Sequence, residues 1–171
     1  MKSVKVLFFI LAFAAITGEY SSAQTILDKQ RIINFKNFFN YLRKTDTLNI
    51  DTSLLQKKYI NISYIKNDTS RTRLLRRTSY FISLCYILKK VADTLKIHDY
   101  GAMNIKSYHL HDPKEYEELQ TNNDNIYVYF LKSHPDAPLG FLLFAPNSDK
   151  IYSCILINQG GYHYFLTLNL L

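Results

Sequence analysis

From Thr25 to Lys44 the apolar residues Leu27, Ile32, Phe35, Phe38, Phe39 and Leu42 recur at helical spacing, while Lys29, Lys36, Asn40 and Arg43 take positions on the other side. This spacing predicts an amphipathic helix. Thr45 to Asp51 is polar and turn-like, and over Leu54 to Ile65 the alternation of Tyr59, Asn61, Ser63 and Ile65 with Ile60, Ile62 and Tyr64 predicts a short strand. Asn67, Asp68, Thr69 and Ser70 offer helix-starting side chains. After them Leu74, Thr78, Phe81, Cys85, Leu88, Ala92 and Leu95 fall on one stripe, which predicts a second, longer helix. No Pro precedes Pro113, and no Gly lies between Ala23 and Gly101, so nothing in this half interrupts a helix.

From Gly101 onward the pattern is β-branched and aromatic. The runs Asn104–Leu110, Ile126–Lys132, Leu139–Ala145, Lys150–Ile157 and Tyr162–Leu168 are separated by clusters of turn residues: His134–Pro138, Pro146–Asp149 and Asn158–Gly161. Strands joined by such short loops are antiparallel neighbours, because a parallel pair needs a crossover of about a dozen residues. Helices therefore come first and a meander second. The expected fold class is α+β, with N-terminal helices packed on one face of a curved antiparallel β-meander. This order resembles the layout of the cystatin-like and nuclear-transport-factor-2-like folds. The likeness is one of layout, and folds of that kind host enzymes, pockets and dimers alike.

A two-residue turn at Gly160–Gly161 pairs Asn158 with His163, Ile157 with Tyr164 and Ile155 with Leu166. One face then carries Ile151, Ile155, Ile157, Tyr162, Tyr164, Leu166 and Leu168, suited to lie under the helices. The other carries Tyr152, Cys154, Leu156, His163, Phe165 and Thr167. The run after Ile126 is apolar on both sides, with Tyr127, Tyr129 and Leu131 against Ile126, Val128 and Phe130. A face turned to water would read polar, so something covers the second one. Three coverings satisfy it: a homodimer, a partner protein, or curvature around a small-molecule pocket lined by Tyr152, His163, Phe165, Tyr127 and Tyr129.

At the N-terminus, Lys2 and Lys5 precede an apolar run, Val6 to Ile16, that ends in small residues at Ser21, Ser22 and Ala23. This is the layout of a signal peptide cleaved near Ala23, with residues 24–171 as a single exported domain, periplasmic or secreted. The run is too short for a membrane span, which needs about 20 residues, and no later run is longer. High usage of Lys, Asn, Ile and Tyr suits an AT-rich bacterial genome.

The formal charge of +7 is unevenly spread. Gln24–His98 holds fifteen Lys and Arg against five Asp and Glu, whereas Asp99–Leu171 holds four against eight. Arg71, Arg73, Arg76 and Arg77 fall at the start of the second helix, the end where cations are unfavourable. They call for an anionic counterpart, either the acidic second half or an external acidic envelope polymer. Two cysteines in an exported chain allow one disulfide, Cys85 to Cys154, and the apolar neighbours of each equally suit a buried free thiol.

Catalytic signatures are absent. His109-Leu110-His111-Asp112 has alternate histidines but no evident third and fourth ligands, so no metal or other cofactor is expected. The register sets Cys154 and His163 about 13 Å apart along the strand, too far to share a proton. Glu115, Glu117 and Glu118 read as a solvated acidic run. The expected function is a small exported binding or interaction domain. Its alternatives are a small hydrolase or lyase using His163 in an aromatic pocket, and polyanion binding through the arginine-rich helix.

Overall fold

A computed structural model describes residues 25–46, 49–61, 71–94, 99–110, 113–120 and 123–166, with the backbone alone at 52, 71–78, 81, 91, 92, 94, 113 and 120. Outside the described residues lie the expected leader, the cluster at Asn67–Ser70, and His111 and Asp112. The same holds for the side chains of Arg71, Arg73, Arg76 and Arg77, whose backbone forms the first turns of a helix.

The helical stripe of the first segment forms as read. Helix α1, residues 25–44, buries Phe35, Phe38, Phe39 and Leu42. Each fully buried phenylalanine contributes about 1.5–3 kcal/mol by leaving water. The same face also buries Arg31 and Asn34.

The strand expected over Leu54 to Ile65 is replaced at its start by helix α2, Thr52–Lys58. Asp51 caps it, accepting from the Leu54 N–H at 3.0 Å, and Lys57 and Lys58 sit in the last turn, where cations are favourable. A local cap outweighs a weak alternation. What survives of the strand is a single parallel bridge from Ile60 to Ile151, and residues 62–70 lie outside the described set.

Helix α3, Arg71–Thr94, turns Leu84, Cys85 and Leu88 inward and leaves Tyr80, Ile82, Tyr86 and Ile87 exposed. Lys89 docks it onto α1. The Lys89 ammonium donates to the carbonyls of Leu42 and Arg43, each at 3.2 Å, satisfying the end of α1 where carbonyls lack helical partners.

Four antiparallel strands form a sheet in the order β1-β2-β3-β4, and two more form a separate ribbon. They are β1 (Tyr100–Asn104), β2 (Ile126–Leu131), β3 (His134–Phe144), β4 (Ile151–Ser153), β5 (Leu156–Gln159) and β6 (Tyr162–Phe165). Two boundaries depart from the sequence reading. β1 precedes the expected run, because Asn104 caps a 3-10 turn at Ile105–Ser107 and ends the strand there. β3 begins at His134 inside the expected turn, because two register shifts opposite Tyr129–Leu131 absorb Pro135 and Pro138 as an irregular edge.

Helices cover one sheet face and the chain itself covers the other. Tyr127, Tyr129, Leu142 and Phe144 pack with the inward faces of α1, α2 and α3. Val128, Phe130 and Phe141 pack with Ile105, Tyr108, Leu110 and Leu119 from the connection between β1 and β2, and Leu156 and Phe165 of the ribbon close over them. The β1–β2 connection, which holds 3-10 turns and the short helix α4 (Glu117–Gln120), is thus the cover that the apolar second face demanded. No second molecule is needed there.

The ribbon register matches the sequence reading: Asn158 pairs with His163 and Ile157 with Tyr164, around Gly160 and Gly161 at φ 65° and 85°. Its burial does not match. Ile157, Tyr162 and Tyr164 were expected under the helices but are exposed, Tyr162 by 62%. The ribbon forms a sheet of its own after β4, and these three side chains belong to neither apolar cluster.

Arg31 fixes the layers to each other. The residue is 1% exposed, and its guanidinium donates to the carbonyls of Ser148 (2.9 Å), Asp124 (2.7 Å) and Ala145 (3.2 Å), and to Asn125 Oδ1 (2.7 Å). It also lies within 5.6 Å of the ring centres of Tyr127 and Phe144. Every acceptor comes from a loop at the far end of the sheet, so α1 is held by directed bonds as well as by its apolar stripe.

Candidate functional site

A cleft of about 510 Å³ opens between α3, the irregular part of β3 and the β4–β5 junction. Leu84, Ile87 and Leu88 supply its α3 wall, Pro138 to Phe141 its β3 wall, and Cys154 to Leu156 its third side. Its size falls in the range of small-molecule sites. Among the described lining residues none is Lys, Arg, Asp or Glu, and the polar groups are contributed by Tyr129, Cys154, Asn158, His163 and Tyr116.

Tyr129 reaches the cleft because its cross-strand partner is Gly140. A Cβ at position 140 would stand 2.6 Å from Tyr129 Cζ, so only glycine leaves room for the ring. The residue is 6% exposed and packs against Phe35 and Phe39 of α1, at 5.3 and 5.8 Å between ring centres. Its hydroxyl makes no hydrogen bond among the described residues and is open to the cleft, whereas the fully buried polar atoms without a partner there are Tyr108 Oη and Asn123 Nδ2. Burial, and then neighbouring Cys154, pushes its pKa up to about 12, so at neutral pH it stays a donor.

His163 stands in the cleft wall on β6, held by a carboxylate that the sequence reading assigned to solvent. Glu118 Oε1 accepts from the His163 backbone N–H and sits 2.7 Å from its Nδ1. Tyr116 stacks on the imidazole at 4.7 Å, and Asn158 Nδ2 is 3.3 Å from Nε2. The backbone N–H of Glu118 itself, followed by that of His163, holds the Glu118 carboxyl below its ordinary range. With Nδ1 bound to a carboxylate, that nitrogen carries the proton and Nε2 faces Asn158. This is the geometry of a positioned histidine, and no nucleophile is bonded to it.

Cys85 and Cys154 are both free thiols, so the disulfide weighed from sequence is not formed. They pack in the same apolar cluster, Cys154 in the cleft wall and Cys85 fully buried beneath it. Burial pushes each thiol up to about 12, so neither is a nucleophilic thiolate at neutral pH.

Of the five residues expected to line a pocket, Tyr129 and His163 meet in this cleft. The other three lie elsewhere. Tyr127 is committed to the helical side, where its hydroxyl donates to Asp28 beside Arg31. Phe165 packs into the second apolar cluster, and Tyr152 is half-buried on β4. Missed from sequence were Glu118, the α3 wall and Gly140. Gly140 carried a signal: a glycine inside an apolar strand marks a bulge or a close approach. His109 is exposed between buried Tyr108 and Leu110. No group of three or more His, Cys, Asp or Glu suited to a metal occurs among the described residues, and no described helix is long and apolar enough to cross a membrane.

No known protein family, curated protein or solved structure matches the chain.

Proposed function

We propose that this protein is an exported small-molecule-binding domain whose site is the cleft between α3 and the sheet. One observation carries the reading. A tyrosine at 6% exposure lines a largely apolar cleft of ligand size, and its hydroxyl makes no hydrogen bond among the described residues. A ligand atom bonded to that hydroxyl would take the place of water there.

The test is fluorescence titration with N-phenyl-1-naphthylamine, a neutral apolar dye that brightens out of water. Saturable binding is expected, and Ile87→Trp should abolish it. Ile87 lines the cleft yet is itself exposed on α3, so the larger side chain fills the site without entering the core. Unchanged binding by that variant would remove the cleft as the site.

A second reading, a small hydrolase or lyase, is supported by the 2.7 Å contact that orients His163. It predicts ester or lactone turnover that disappears in His163→Ala. Equal rates from both proteins over a broad panel would exclude it.

A further inference from the structure

We infer that the ligand of this cleft is uncharged, an apolar body carrying a hydrogen-bond acceptor of the ketone, quinone or ester kind, with that acceptor seated on the Tyr129 hydroxyl. The inference rests on the cleft reading above and adds the ligand's chemistry.

Two features select a neutral ligand. First, no described lining residue is Lys, Arg, Asp or Glu, and His163 Nδ1 is already engaged by Glu118 at 2.7 Å. A carboxylate head group would enter an apolar site without a free cation, beside a carboxylate already present, and burying an unpaired ion is strongly unfavourable. A cationic head fares no better, because no carboxylate is among the described lining residues. Second, the partnerless group is a donor. Tyr129 keeps its proton at any physiological pH, so its O–H is available to an acceptor on the ligand.

Size narrows the class further. A volume of about 510 Å³ holds a body of roughly 15–20 non-hydrogen atoms at about 30 Å³ each, the share of a water molecule in the liquid. Leu84, Leu88, Leu139 and Ile155 are the aliphatic surface against which that body would lie.

The test displaces N-phenyl-1-naphthylamine from the purified full chain with methyl laurate or with laurate at pH 8, each below its micelle concentration. Methyl laurate should compete at least tenfold better. Tyr129→Phe, which removes one oxygen and leaves the ring over Gly140, should weaken methyl laurate by about two- to tenfold and leave the dye and dodecane unchanged. Laurate competing as well as its ester, or Tyr129→Phe leaving the ester unaffected, overturns the inference while the cleft remains the site. Absence of dye binding, or binding that persists in Ile87→Trp, overturns the cleft reading and this inference with it.

Discussion

The ring of Tyr129 occupies the space that a side chain on Gly140 would need, with Cζ and Cε1 at 2.6 and 2.7 Å from the position of a Cβ there. This exchange across the β2–β3 pair lets one residue serve both the helical core and the cleft.

Gly140→Ala should therefore force Tyr129 aside. Overpacking of this kind costs about 1–3 kcal/mol, read as a lower urea midpoint, and dye binding should weaken as well. Gly101→Ala is the matched control, since its Cβ would stand 2.7 Å from the Phe130 ring on the opposite face. It should destabilise comparably and leave dye affinity intact.

Replacing Arg31 tests whether directed bonds hold α1 in place. Arg31→Met keeps the apolar stem but strips donors from three carbonyls and the Asn125 side chain. A loss of about 3 kcal/mol or more is expected in chemical denaturation. Arg31→Lys should recover little, because an ammonium cannot span acceptors arranged for a planar fork. A loss under about 1 kcal/mol for Arg31→Met would show that these bonds add nothing net.

Glu118 ties the ribbon to α4 in a pH-dependent way. Its carboxyl lies below the ordinary value of 4.5, so its contribution to stability is complete above that pH and is lost as pH falls through the lower folded value. His163 is bonded to it, and Lys114, Glu117 and Tyr162 line the same rim. Thermal melts of wild type and Glu118→Gln should differ at pH 6 and draw together as pH is lowered below 4.5. A constant gap over that range would separate the effect from ionisation.

Both thiols should resist modification while the protein is folded. With each pushed up to about 12 and Cys85 fully buried, Ellman's reagent at pH 8 should label neither in the native state and both after guanidinium, without reductant. Labelling that needs reductant would reveal a disulfide.

Elements specified by neighbours in sequence were legible, and those specified across the chain were not. The α1 stripe and the Gly160–Gly161 hairpin follow from spacing and local backbone chemistry, and both stand as read. Misreading 54–58 came from weighing the alternation of Tyr59–Ile65 above the cap at Asp51. The covered second face was inferred from apolar strands, but its cover was hidden in the loop-like stretch between Ile105 and Leu119. Arg31 looks like any helical cation until its acceptors, 93 to 117 residues away, fold around it. Glu118 likewise reads as a solvated acid, because its partner lies 45 residues on, beyond a sheet that must first assemble.

Occupancy of the cleft is tested most directly by native mass spectrometry of the protein isolated from its own host, followed by a denatured spectrum of the same sample. Ligand binding predicts a monomer carrying an added mass that denaturation releases, with less of it retained by Tyr129→Phe and none by Ile87→Trp. A bare chain mass, or a dimer without added mass, from material that also fails to bind the neutral dye would contradict it.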